Sequence, residues 1–325
     1  MKTTLALPVA AALFLLPAAA APSFDCAKAA TTVEKAICGS TALSAADRKL
    51  ADSYNALLGR VSEPVRAALR NAQRQWLSYV RTLCAKPMHD DTVEACLTSS
   101  YDERQKQLAT AITRAGGLTF VRDSLFEARR ETGEDEKEPW YQPYSTFESA
   151  WPVIDAPKGK SEEQFNKAMA GAALVSARAF KRGGTDFWFT YDDIAVTDRL
   201  ISVDTTTSFY GHGAAHPNYG TAMVHWLRTE ARLLNAEDVF VAGSKWKTVL
   251  RDYCFEKVKR EGFVEKAEDI QDTTSNPQSW RFSKQGLTVL FNPYEVASYA
   301  EGMQQVFVPW SVLKPYLKKN APVPP

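Results

Sequence analysis

The chain has 325 residues, 45% of them hydrophobic and 24% charged, with 16 Gly and 17 Pro; this is the composition of a globular protein and excludes disordered, collagen-like and multi-span membrane chains. The 39 Lys and Arg nearly cancel the 38 Asp and Glu, so no strongly basic face is implied and nucleic acid is a poor candidate partner. Length alone is a prior for about two domains.

At the start of the chain Lys2 precedes an apolar run from Leu5 to Leu16, followed by Pro17 and Ala18 to Ala21. That is the pattern of a secretory signal peptide over residues 1–21, with cleavage near Ala20 or Ala21. The run is shorter than the roughly 20 apolar residues a spanning helix needs, and no later stretch approaches that length. A periplasmic or secreted protein without a membrane span is expected. Lipidation is not, because Ser23-Phe24-Asp25 puts a ring and a carboxylate before the first Cys.

Four of the five Cys form two pairs of equal spacing, Cys26 with Cys38 and Cys84 with Cys96. An exported protein meets an oxidising compartment, so two disulfides are expected. Four Cys allow three connectivities; local pairing is preferred and the others stay open. Metal-binding Cys usually come two to four residues apart, and none here do. Cys254 lies on an apolar stripe with Val249, Leu250, Tyr253 and Val258, which predicts a buried, inert thiol.

Ser44-x-x-Asp47 resembles a capping box, and Leu43, Ala46, Leu50, Tyr54, Leu57 and Leu58 follow at helical spacing. After a turn at Gly59 to Pro64, a second helix is predicted from about Val65 to Leu83 and a third from about Thr92 to Thr113. Gly116-Gly117 is expected to close this unit, residues 22–116, a disulfide-stapled helical hairpin or three-helix module with antiparallel packing.

Residues 117–325 read as a second, α+β domain with an antiparallel or mixed sheet. The charged stretch Glu131 to Glu138 and the prolines Pro139, Pro143, Pro152 and Pro157 predict loop or irregular edge structure, pinned by Trp140, Tyr141, Tyr144, Phe147 and Trp151. A helix is expected over Ser161 to Lys181, with Phe165, Met169, Ala172, Ala173, Val175 and Phe180 inward. From Asp186 the period changes to two, which predicts strands through Phe187-x-Phe189-x-Tyr191, Leu200 to Thr206 and a pair within Ala222 to Leu234. A helix over Lys245 to Lys259, short strands at Trp280-x-Phe282, Leu287 to Phe291 and Val306-x-Val308, and a helix over Ser311 to Lys319 complete the chain.

Cys26-x2-Ala29-x4-Glu34-x2-Ile37-Cys38, Leu50-x3-Tyr54, Gln75-Trp76-Leu77-x3-Arg81-x2-Cys84, and Cys96-Leu97 with Tyr101-x2-Arg104 stand in one order over residues 24–112. In these the chain resembles the N-terminal domain of the LprI-like lysozyme inhibitor family. Further on stand Tyr210-Gly211-His212-Gly213-Ala214-Ala215-His216-Pro217-Asn218, Val239-Phe240, and Phe291-Asn292-Pro293-Tyr294-Glu295-Val296-Ala297-x-Tyr299-Ala300-x-Gly302. In these, over about residues 120 to 317, the chain resembles the C-terminal, lysozyme-binding type of domain of the RsiV anti-sigma factor. The first loop has Gly213-Ala214-Ala215 where that type doubles its Gly, and His225-Trp226 stands where a more polar pair is expected. The resemblance implies binding of a lysozyme or another muramidase, by a rigid loop that occludes the sugar cleft and its two carboxylates.

The residues alone are compatible with other chemistry. His212-x3-His216, with His225 beyond, can be read as a metal pair of a cell-wall-associated hydrolase, but Gly211, Gly213 and Pro217 argue against the helix that would align two imidazoles. The acid pairs Asp192-Asp193 and Glu237-Asp238 read as turn or surface residues, because neighbours on a strand point to opposite faces. There is no Gly-x-Ser-x-Gly, phosphate loop or His-Glu-x2-His. No catalytic residue, metal or cofactor is therefore expected. The candidate partner-binding residues are Tyr210, Gly211, His212, Gly213, His216, Pro217 and Asn218 in one loop, and Asn292, Pro293, Tyr294 and Tyr299 in another, with Tyr294 as the anchor. An envelope protein that binds peptidoglycan and inhibits nothing is the remaining alternative.

Overall fold

A computed structural model describes residues 21–87, 91–131, 142–175 and 184–323. The predicted leader up to Ala20, and Trp140, Tyr141 and Phe180, lie outside the described residues. The fold is α+β, a disulfide-stapled helical region followed by a sheet-rich one.

Among the described residues four α-helices form the first region, not three. α1 (Thr32–Gly39) starts at a capping box in which the Thr31 hydroxyl accepts from Glu34 N at 3.1 Å and the Glu34 carboxylate accepts from Thr31 N at 2.9 Å. The two reciprocal bonds satisfy orphan helix-end groups. Only Ser40 separates α1 from α2 (Thr41–Leu58), and Ser40, not Ser44, is its N-cap. Ser44 lies one turn inside, donating to Ile37 O at 2.8 Å, while Asp47 accepts from Tyr101 Oη at 2.9 Å. α3 (Glu63–Cys84) buries Val65, Leu69, Ala72, Trp76, Val80 and Cys84 along one face. α4 (Val93–Ala109) ends short of Thr113, because Ile112–Ala115 extends as strand β1. The disulfides are Cys26–Cys38 and Cys84–Cys96, each closing a local loop.

Gly116 and Gly117, both at positive φ, make the hairpin turn between β1 and β2 (Leu118–Arg130) instead of closing the helical unit. A Cβ on Gly116 would stand 2.3 Å from Val196 Cγ1, so only glycine fits there. Val121 and Phe126 of β2 pack into the helical core with Leu69, Val80 and Leu97. The neighbouring Phe120 belongs to a different core, that of the sheet.

A seven-stranded mixed sheet runs in sequence order through β1, β2, β3 (Tyr144–Ile154), β4 (Thr185–Val196), β5 (Leu200–Gly211), β6 (Asn218–Leu227) and β7 (Arg232–Leu233). All neighbours are antiparallel except β3 and β4, which pair in parallel over Phe147–Ser149 and Phe187–Phe189. The helix α5 (Lys160–Val175) makes that crossover and buries Phe165, Met169 and Ala173 against the sheet.

The stretch from Tyr144 to Ile154, Pro152 included, is thus a strand and not a loop, while Pro143 and Pro157 lie outside strands as expected and residues 132–141 lie outside the described residues. Pro152 is tolerated because Asp155 N donates to Thr119 O across to β2, which by alternation turns the nitrogens of residues 152 and 154 the other way. Pairing with β4 has ended there. Ile154 N finds the Asn166 side chain at 2.7 Å, and Pro152 has no N–H to satisfy.

A second, three-stranded antiparallel sheet of β8 (Trp280–Phe282), β9 (Gly286–Phe291) and β10 (Gln304–Pro309), in the order β10-β9-β8, packs with the short helix α6 (Ala236–Val239), with α7 (Trp246–Val258) and with α8 (Gln271–Ser275). Cys254 is buried in this core, its thiol pushed up to about 12 by desolvation. The predicted C-terminal helix is one turn only, α9 (Trp310–Leu313), because Pro315 turns the chain into a 3-10 segment, after which Leu317 bridges to Phe240. His225, 3% exposed, joins the two sheets: Nδ1 lies 2.8 Å from Ser202 Oγ on β5 and Nε2 2.7 Å from the Trp280 carbonyl on β8.

Candidate functional site

Two loops separated by about eighty residues in sequence meet at the end of the β5–β6 hairpin. The first turns through Gly213, at φ 82°, with Ala214 N donating to Gly211 O at 2.9 Å. The second begins where β9 ends. There Glu295 N donates to Asn292 O at 3.1 Å, Pro293 fills the first central position and Tyr294, at φ 72°, the second. This is a type II turn whose second central residue is ordinarily Gly or Asn. A tyrosine there costs about 1–2 kcal/mol of backbone strain.

Three bonds hold the strained turn. Asn292 N donates to Glu295 Oε2 at 3.0 Å, Tyr294 N to Ala297 O at 3.0 Å, and Thr221 N on β6 to Asn292 Oδ1 at 2.7 Å. The last of these stitches the second loop to the hairpin that carries the first. Tyr299 forms the centre of the aromatic contact: His216 stacks on it at 3.9 Å between ring centroids, Tyr294 lies at 5.9 Å, and Tyr219 meets it edge-on at 5.9 Å. Pro293 is buried, and the Tyr294 side chain stands 54% exposed at the tip. His216 and Pro217 are exposed, and Asn218 is half-buried at the start of β6, its carboxamide oxygen accepting from Tyr219 N at 3.1 Å.

Not every predicted residue reaches this edge. His212 turns inward, with Nε2 3.4 Å from Asp186 Oδ2, and Tyr210 sits 6.2 Å from it, ring to ring. Asp186 Oδ1 accepts from Thr146 N and Thr146 Oγ1 at 2.8 and 2.7 Å. Tyr210, Gly211 and His212 therefore form the root of the loop, and the two imidazoles are engaged by separate partners. Tyr219 and Thr221 were missed in the sequence. Gly302 is the available signal for Tyr219: at φ 69°, its absent Cβ would lie 3.2 Å from the Tyr219 hydroxyl.

The acid pairs are placed as surface features. Asp192 and Asp193 occupy a bulge in β4, where Asp192 accepts from Thr206 Oγ1 at 3.1 Å. Asp238 is held in a two-bond ion pair with Arg232, both at 2.7 Å, which keeps its carboxyl below the ordinary range.

The helical region has a cavity of its own, of about 340 Å³. Its walls include Phe24 of the N-terminal arm and six residues that carried the first resemblance: Glu34, Ile37, Trp76, Leu77, Arg81 and Tyr101. Arg81 Nη2 pairs with Glu34 Oε1 at 3.1 Å, and Leu77 is exposed. The family model described as "Lysozyme inhibitor LprI" matches residues 26–108, which contain both disulfides and all four helices but for the last residue of α4. This region is similar to the LprI domain.

Relatives of the LprI domain include "Lipoprotein LprI" of Mycobacterium bovis and of Mycobacterium tuberculosis, each 34% identical over 92 residues, which are 28% of this chain and 43% of the relative. The chain thus spans less than half the length of the curated relatives it matches. A second family model, "Protein of unknown function (DUF3298)", matches residues 237–311 and takes in the Asn292–Tyr299 loop but not Tyr210–Asn218. Among solved structures, a DUF3298 family protein from Pseudomonas aeruginosa is similar at a TM-score of 0.45 and 14% identity, covering 63% of this chain and 96% of that one. Another, from Bacteroides fragilis, has a TM-score of 0.40 and 16% identity, covering 64% and 96%. Among the described residues no helix is long and apolar enough to cross a membrane.

Proposed function

We propose that the protein is an exported binding protein whose partner is a lysozyme or another muramidase, and that it acts by occluding the enzyme's sugar cleft. The observation that carries this reading is the match of residues 26–108 to the lysozyme inhibitor LprI family. The two disulfides favour an oxidising compartment. The loop edge supports a contact there: an exposed tyrosine on a rigid, strained turn, backed by stacked rings, has the make-up of a hot-spot anchor. A standard interface buries about 1,600 Å², more than one loop supplies, and here two loops lie together.

A second contact on the LprI domain is favoured by a specific observation, the clustering of Glu34, Trp76, Leu77, Arg81 and Tyr101 around one cavity. The test is a cell-wall turbidity assay of lysozyme with the purified full-length mature chain, paired with calorimetric titration. Inhibition with saturable binding is expected; unchanged lysis and no heat of binding would end the proposal. Tyr294→Ala and Leu77→Asp then divide the two contacts, since the anchor that matters should cost at least about 2 kcal/mol on truncation.

A further inference from the structure

At the loop edge one chain of hydrogen bonds has a fixed direction. His216 Nδ1 lies 2.9 Å from the Pro217 carbonyl oxygen, and His216 Nε2 lies 3.3 Å from the Tyr294 hydroxyl. A carbonyl oxygen only accepts, so Nδ1 carries a proton. In the neutral ring Nε2 is then a bare lone pair, and the Tyr294 O–H donates to it. The single phenolic proton is directed inward, and the tip of Tyr294 offers its surroundings oxygen lone pairs alone.

We infer that His216 is a positioning residue that fixes the hydrogen-bond polarity of Tyr294, so that the partner group seated on this tip is a hydrogen-bond donor: an ammonium, an amide, a hydroxyl or a protonated carboxyl. The inference rests on the loop edge being the partner-binding surface.

The surroundings leave His216 Nε2 to Tyr294. From the second loop His216 faces the Tyr299 and Tyr294 rings, and Tyr219 of β6 lies behind Tyr299. Glu295 is tied to Asn292 N, and Glu301 to Arg260 and Ser298. On its own loop, His212 is turned to Asp186. Among the described residues no carboxylate pairs with His216, so the phenol is the group that Nε2 meets.

The experiment uses the full-length mature chain and its variants Tyr294→Phe, His216→Phe and His216→Gln, titrated with a c-type lysozyme at pH 8. Tyr294→Phe removes the oxygen lone pairs and should lower affinity about three- to tenfold, the worth of one hydrogen bond. His216→Phe keeps the stack on Tyr299 but frees the phenolic proton, and should also weaken binding. His216→Gln, whose amide both donates to Pro217 and accepts from Tyr294, should recover most of that second loss. Equal affinities for wild type, Tyr294→Phe and His216→Phe would overturn the inference.

A second measurement needs no ligand. In nitrogen NMR at pH 8 the His216 signals should report protonated Nδ1 and bare Nε2, with the Nε2 shift moving on Tyr294→Phe. A ring protonated on Nε2, or an unmoved Nε2 shift, overturns the inference whether or not lysozyme binds. Absence of lysozyme binding with the expected NMR result would instead strike the proposed function alone.

Discussion

His225 Nε2 lies 2.7 Å from the carbonyl oxygen of Trp280, and through this contact one imidazole ties the large sheet to the small one. With Nδ1 on Ser202 Oγ, both ring nitrogens are satisfied in a site that water does not reach. Burial lowers the pKa of this histidine from the usual 6.5 to about 4. The native state therefore holds His225 neutral between these values while the unfolded chain takes up a proton. Stability is complete above pH 6.5 and declines as the pH falls toward 4, by up to about 3 kcal/mol for one proton over that window. Urea unfolding at pH 7 and at pH 4.5 checks this, with His225→Phe as the control that removes the pH term along with the two bonds.

Tyr294 separates stability from binding. Replacing it by Gly relieves the positive φ of 72° and should leave the fold unchanged or more stable by up to about 1 kcal/mol, the unfolded-state entropy of Gly offsetting part of the gain. The same variant should lose most affinity for the partner. Denaturation midpoints and titration on one preparation read both. A Tyr294→Gly protein destabilised by more than about 1 kcal/mol would mean that the ring is a staple and not an anchor.

The two glycines of the β1–β2 turn should differ sharply. Gly116→Ala meets Val196 Cγ1 at 2.3 Å as well as the positive φ, and should cost about 2–4 kcal/mol. Gly117→Ala has positive φ but no atom within 4 Å, and should cost about 1 kcal/mol. Equal costs in urea unfolding would remove the close approach as the reason for glycine at 116.

Thiol chemistry should count one reactive Cys per denatured, unreduced chain and five after reduction. In the native state Cys254 should resist alkylation at neutral pH, because its buried thiol ionises only near pH 12. Loss of each disulfide should lower stability by about 2–4 kcal/mol. Loss of both should lower the melting temperature more than loss of either.

What could be read from the sequence follows from how many cores each element serves. α3 was legible because its buried positions fall on one stripe, Val65, Leu69, Ala72, Trp76 and Val80. α1 escaped because eight residues bury only Val33 and Ile37, too few to set a period. β2 escaped because its adjacent residues Phe120 and Val121 are both fully buried, one toward the sheet core and one toward the helices, and this erases the alternation by which strands are recognised. β3, buried along nearly all its length and carrying Pro152, has no alternation either. At the candidate site the turn residues were legible from Gly, Pro and Asn. The stack of His216 on Tyr299 and the bond from Thr221 to Asn292 were not, since no local period links positions so far apart.

Because β2 lends Val121 to the helices and Phe120 to the sheet, the LprI domain cannot be cut away at its glycine turn without opening both halves. Free energy deposited in either half is shared through that strand. A ligand that fills the helical cavity should slow hydrogen exchange along β2 and β3, and a partner gripping the loop edge should protect the disulfide-bearing helices from proteases. Truncation, the usual way of assigning an activity to a domain, would report on this seam before it reported on either site.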